Sequence, residues 1–130
     1  MDTKGYKKIT IKEHYIQMQI TAWAEVNLKK IPELEMLYAI PNGGKRNIIT
    51  ASKLKKEGVK AGVWDMSLDF PKGGYHGLKI EVKTKDGRLS KNQAEWKKRY
   101  EKYNYKCIVV RSLEDFIKEI EAYLSESNNR

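Results

Sequence analysis

The sequence predicts an α/β fold, a mixed four-stranded sheet flanked by helices, and three features predict it. Short apolar or alternating runs bounded by Gly, Pro or Asn are interleaved with longer stretches of helical period. Capping-box spacing, Ser or Thr followed three residues later by Glu or Gln, marks two helix starts. Near the end a strand, a helix and a strand follow one another, the order of a right-handed crossover that returns the chain to the same sheet.

The elements follow in order. Thr10 and Glu13 have capping-box spacing ahead of a stretch in which Ile16, Ile20 and Trp23 recur at helical intervals, predicting a helix over about 11–29. Glu13 shares that stripe, so two roles are open to its carboxylate: capping the Thr10 N–H, or reaching a functional site as an acidic ligand or water-orienting group. Pro32 ends the segment, and Met36 to Ile40 reads as a buried strand. PNGGKR is a turn whose glycines allow close backbone approach, with Lys45 and Arg46 placed to meet phosphate. A short basic helix follows over about 47–57 and stops at Gly58.

Asp65 to Asp69 and Leu78 to Lys83 alternate on either side of a Pro/Gly-rich connection, the pattern of a β-hairpin turning near residues 73 and 74. Leu78, Ile80 and Val82 share one face and Lys79, Glu81 and Lys83 the other; in either same-face register Asp65 lies beside Glu81 and Lys83, with Asp69 nearer the turn. Two carboxylates and a lysine on one patch can hold a hard cation and manage a phosphate or a water. The competing reading is an amphipathic strand with its charges in water. After the hairpin KTKDGR is a polar turn, and Ser90 and Gln93 open a helix with Leu89, Trp96, Tyr100 and Tyr103 near one stripe. Gln93 lies on that stripe and needs a partner, either the Ser90 N–H or a group in the site. The aromatics read as core, with base stacking the alternative. Lys106 to Val110 is a strand, and Ser112 begins a last helix with an apolar stripe of Leu113, Phe116, Ile117, Ile120 and Leu124.

At 130 residues one domain is expected over the whole chain, with a core at about 11–125 and frayed ends. A formal net charge of +9 favours a polyanionic partner. That charge is uneven: residues 42–60 carry six Lys/Arg against one Glu, and residues 83–106 carry nine against three acids. Positive charge thus brackets the hairpin, and Lys45, Arg46, Lys53, Lys56 and Lys85 are the candidate nucleic-acid contacts. The single cysteine, Cys107, lies in an apolar run and is expected in the core, and no signal-like or membrane-length apolar segment is visible. The expectation is a cytoplasmic protein without membrane contact.

Several stretches together resemble the VRR-NUC (virus-type replication-repair nuclease) family of the PD-(D/E)XK superfamily, in its stand-alone phage and bacterial form: EHYIQMQI, AIPNGGKR, LKKEGVKAGVWD, IEVKTK, LSKNQAEW and IVVRSLED. The resemblance runs from about Glu13 to Leu124, and the order and spacing of the motifs carry it. It implies a restriction-endonuclease-like PD-(D/E)XK core and a metal-dependent DNA endonuclease. It also implies a homodimer acting on branched DNA such as four-way (Holliday) junctions or flaps. By position Asp65, Glu81 and the Val82 carbonyl would hold Mg²⁺ or Mn²⁺, and Lys83 would be the catalytic lysine. Glu13 would match the acid of the first helix and Gln93 the glutamine after the core motif. Where family members often have proline before the catalytic aspartate, this chain has Trp64.

Two other functions compete. A basic module that binds nucleic acid without catalysis fits the charge equally well, but gains nothing from Asp65 and Glu81 on a basic face. An RNA-binding sheet of the RRM type requires exposed aromatics on its central strands, which LKIEVKTK lacks.

Overall fold

Strand alternation and helix capping set this architecture, and a computed structural model describes residues 10–41 and 48–127 of it. The elements run α1 (Ile11–Val26), a 3-10 turn (Pro32–Met36), β1 (Leu37–Ala39), α2 (Ile48–Lys56), β2 (Met66–Leu68), β3 (Leu78–Val82), α3 (Lys91–Lys102), β4 (Lys106–Val110) and α4 (Leu113–Ser125). The four strands form one mixed sheet in the order β1-β2-β3-β4, antiparallel except for the parallel pairing of β3 with β4.

Local chemistry explains most of the boundaries. Thr10 caps α1 and Ser90 caps α3 in complete capping boxes, and the Ser112 side chain caps α4 by accepting the Asp115 N–H. Helix α1 stops at Val26, three residues short of the predicted Lys29, because the Asn27 side chain bonds the Trp23 carbonyl at 2.8 Å and its backbone leaves helical geometry there. At the end of α2 the Gly58 and Val59 N–H groups turn back to the Lys55 and Leu54 carbonyls, a Schellman closure. The hairpin turns where predicted: Gly73 and Gly74 have φ of +61° and +84° between the bridged pair Lys72 and Tyr75, the two positive φ values of a type I′ turn.

The core lies on one face of the sheet. Leu78, Ile80 and Val82 of β3, with Met66, Leu68, Ile108 and Val110 from the neighbouring strands, pack under Ile20 and Ala24 of α1 and Phe116, Ile120 and Tyr123 of α4. Each of the larger side chains contributes roughly 1.5–3 kcal/mol by leaving water. Helix α3 lies over the other face, where the Tyr100 ring stands above the Lys79 ammonium. Strand β1 corrects the sequence reading: it is shorter than 36–40 and not buried, with Tyr38 and Ala39 exposed, because it pairs on one side alone as the sheet edge. No helix among the described residues is long and apolar enough to cross a membrane.

Candidate active site

Asp65 ends the loop into β2 and Glu81 sits near the end of β3, at the same level of the sheet because Met66 pairs with Ile80. Their side chains interlock through the main chain. The Asp65 N–H donates to Glu81 Oε1 at 3.2 Å, and the Val82 N–H donates to Asp65 Oδ2 at 2.8 Å. Each carboxylate is thus held by an amide of the opposite strand, with hardly any rotamer freedom left. Lys83 follows on the same face, its Nζ 3.5 Å from Glu81 Oε2, and its N–H bonds the Val110 carbonyl, which extends the β3–β4 pairing by one residue. Exposure is 3% at Asp65, 0% at Glu81 and 8% at Lys83. The reading of these residues as charges on a solvated strand is therefore excluded. Burying ions this deeply contributes little to stability even when they are paired, so the cluster calls for another reason.

The donor set can be weighed against a metal. Asp65 and Glu81 supply hard carboxylate oxygens, and Val82 adds a backbone carbonyl at the same strand end. Among the described residues no group of three or more His, Cys, Asp or Glu side chains is close enough to cage an ion. Two carboxylates suit Mg²⁺ or Mn²⁺, which retain waters and share coordination with a phosphate; they do not suit the closed four-ligand site of structural zinc.

Glu13 and Gln93 both make their caps. Glu13 Oε1 accepts the Thr10 N–H at 3.2 Å and Gln93 Oε1 accepts the Ser90 N–H at 2.9 Å, each with the reciprocal bond in place. Both are nonetheless buried, at 6% and 4% exposure. Gln93 connects to the site through its backbone: its carbonyl accepts the indole N–H of Trp64, the residue before Asp65, at 3.0 Å. Trp64 is fully buried, its ring set edge-on to Tyr100, and its own N–H reaches the Tyr100 hydroxyl. Burial raises the pKa of that hydroxyl and keeps it neutral. Gly62, at φ +85°, lets this loop run against the first turn of α3, where a Cβ would meet Asn92 at 2.6 Å.

Two residues that sequence reasoning did not single out adjoin these. Gln17, one helical turn beyond Glu13, has a buried Oε1 with no hydrogen-bond partner among the described residues; a buried acceptor left so costs about 1–3 kcal/mol unless a water or cation satisfies it. Its signal was the i, i+4 spacing from Glu13. Arg111, at the end of β4, donates from Nη1 to the carbonyls of Thr84, Lys85 and Gly87 at 2.6, 3.2 and 2.7 Å, and so fixes the turn that follows Lys83. Nothing in the local sequence foretells that long-range clamp.

The other candidates are dispersed. Lys53 and Lys56 are exposed on the last turn of α2 and Lys85 is exposed in the turn after β3, whereas Lys45 and Arg46 lie outside the described residues. Asp69 belongs to a separate network, accepting from Tyr38 and Ser67, with Lys79 donating to Ser67. Of the aromatic stripe read as core, Tyr100 is buried and Trp96 half-buried, but Tyr103, at the helix end, is 62% exposed.

Comparison with known proteins agrees with this fold. A solved structure described as a VRR_NUC domain protein superposes with a TM-score of 0.76 at 26% sequence identity, over 92% of this chain and 93% of that one. Among curated proteins no sequence matches. The family model of the VRR-NUC domain matches residues 4–114, which takes in α1, the whole hairpin, α3 and β4. The chain belongs to the VRR-NUC domain family, nucleases of the PD-(D/E)XK type.

Proposed function

We propose that this protein is a divalent-metal-dependent DNA endonuclease, selective for branched DNA, and that it works as a homodimer with Asp65, Glu81 and Lys83 at its centre. The observation that carries the reading is the interlocked Asp65–Glu81 pair with Lys83 beside it, buried on a sheet face whose following turn and covering helix α3 are basic. Asp65, Glu81 and the Val82 carbonyl would hold Mg²⁺ or Mn²⁺. Such an ion supplies Lewis acidity, offsetting charge on the scissile phosphate and making water a better nucleophile. Lys83 orients the attacking water or balances charge as it develops on the phosphate. Glu13 and Gln93 serve the same site as positioning groups while capping their helices. Lys53, Lys56 and Lys85, with Lys45 and Arg46, meet the DNA backbone.

The family resemblance is what supports branched DNA and dimerisation. For the dimer there is also a surface: Ile11, Tyr15 and Met18 form an apolar stripe on the outer side of α1, 77%, 62% and 54% exposed. The test is incubation with labelled linear, flap and four-way-junction DNA in Mg²⁺, Mn²⁺ or EDTA, with sedimentation of wild type and Tyr15→Glu alongside. Cutting confined to the metal-containing reactions and faster on branched DNA, by a dimer that Tyr15→Glu dissociates, is expected. Cleavage at full rate in EDTA overturns the metal reading, and equal rates on all three DNAs overturn the selectivity.

A further inference from the structure

The face of β3 that carries Glu81 continues toward the hairpin into a second feature that the hydrolytic site does not use. Lys79 lies two residues before Glu81 on the same face, about 7 Å along the strand. It forms part of the lining of an open cavity of about 620 Å³ together with Trp96, Arg99, Tyr100, Tyr103 and Tyr105. That volume is within the range of about 300–1,000 Å³ typical of small-molecule sites, far too small for a duplex. Trp96 and Tyr100 are 5.4 Å apart between ring centroids, and Tyr100 and Tyr105 are 6.3 Å apart. The Lys79 ammonium lies 5.3 and 4.9 Å from the Tyr100 and Tyr105 centroids, and the Arg99 guanidinium 4.8 Å from that of Trp96.

Three properties distinguish this pocket from ordinary core. Its rim is wet: Tyr103 is 62% exposed and Arg99 is exposed. Its cations lie against rings, with Lys79 joined to the Asp69 carboxylate only through the Ser67 hydroxyl, an arrangement that accepts a further flat π-system and an anion together. Its floor holds unused donors: of the three ammonium protons of Lys79, one is given to an oxygen, Ser67 Oγ at 3.0 Å, among the described residues. The remaining protons are available to the carbonyl and ring-nitrogen acceptors on the edge of a base. A base inside a duplex presents no free face, so what fits is a base already out of the stack.

We propose that this pocket takes an unstacked nucleobase of the strand whose phosphate lies at Asp65 and Glu81, with Trp96 and Tyr103 stacking, Lys79 reading the base edge and Arg99 meeting a flanking phosphate. This rests on the acidic site being where the scissile phosphate lies, and it narrows the substrate to DNA with an unpaired nucleotide beside the cut. The unpaired base comes either from a single-stranded segment or from a nucleotide extruded out of a duplex.

The test measures binding by anisotropy in EDTA, so that no DNA is cut, with three labelled probes: a single-stranded oligonucleotide, a duplex with one unpaired nucleotide, and a fully paired duplex. Tyr103→Ala and Trp96→Leu are each expected to weaken single-strand binding by about tenfold and paired-duplex binding by less than about twofold, with Tyr103→Phe restoring the loss. A matching loss on the duplex with one unpaired nucleotide identifies extrusion; a loss confined to the single strand identifies a single-stranded segment. Equal losses on all three probes, or no loss in either variant, overturn the proposal. The same binding pattern in a protein that cuts nothing in Mg²⁺ leaves the pocket standing and removes the hydrolytic reading. Cutting without the pattern does the reverse.

Discussion

Strand β3 has two faces built on opposite terms. Leu78, Ile80 and Val82 are fully buried against α1 and α4 in an apolar core, while Glu81 and Lys83, between and beyond them, are 0% and 8% exposed on the side that α3 partly covers. Both faces exclude water, yet one does so with side chains that gain free energy by it and the other with ions that lose hydration. The core face therefore accounts for stability. The charged face adds little to stability, and on the function proposed above its desolvation is repaid by activity.

The sharpest way to break that division is at its acidic pair. Asp65→Asn and Glu81→Gln keep shape and retain a carbonyl oxygen to accept the opposing amide, but remove the charge that holds a cation. Cutting of any DNA substrate should fall below detection in either variant, and the melting temperature should stay level or rise as a buried ion is lost. A gel assay with calorimetry on the same preparations checks both; retained cutting, or unfolding in both variants, contradicts the division.

The opposite substitution comes next in size. Ile80→Ala, one residue from Glu81 on the other face, should cost about 2–5 kcal/mol in denaturant unfolding through lost burial and the cavity left behind. Its cutting rate per folded molecule should remain near wild type. A loss of rate well beyond the loss of folded protein would mean that the core face also sets the geometry of the site.

How much of this could be read in advance follows the range of each signal. Capping boxes, the Gly73–Gly74 turn and strand alternation act within a few residues, so the order of elements and the Asp65–Glu81 pairing were legible. Burial of the second face was not, because Lys/Glu alternation looks the same under α3 as in water. The exposure of β1 was missed for the same kind of reason: an apolar run does not say whether it has one neighbour or two. Arg111 bonds carbonyls 24 to 27 residues away, and no local pattern encodes that. Tyr103 shares the helical stripe of Tyr100 but comes at the end of α3, past the cover of the sheet, so the same periodicity ends in solvent.

Glu13 tests whether one carboxylate can belong to both regions, since it caps α1 and is buried. Glutamine at this position still accepts the Thr10 N–H, so Glu13→Gln preserves the box but not the charge. A role in the site predicts an unchanged melting temperature, at least about a tenfold slower cut, equivalent to about 1.4 kcal/mol of barrier, and a higher metal requirement. A role limited to capping predicts that Glu13→Gln is silent and that Glu13→Ala alone loses stability. Metal titrations of the cutting rate for both variants decide it.

The smallest effects belong to the surface lysines, and they sharpen the comparison because Lys83 and Lys85 are two residues apart yet differ wholly in setting. Lys85 is exposed in the turn held by Arg111, and Lys53 and Lys56 are exposed on α2. Each Lys→Gln change there should alter stability by less than about 0.5 kcal/mol. If the residue meets a phosphate, the same change should reduce the slope of log affinity against log salt by about 0.9 on duplex DNA. The maximal cutting rate at saturating DNA should not move, since a backbone contact shared by ground and transition states affects binding alone. Lys83, buried beside Glu81, should behave the other way: Lys83→Gln leaves the slope at its wild-type value and abolishes cutting. Should Lys85→Gln also abolish cutting with its slope unchanged, the turn after β3 belongs to the active site, and the boundary between charge that binds and charge that reacts lies two residues further along the chain.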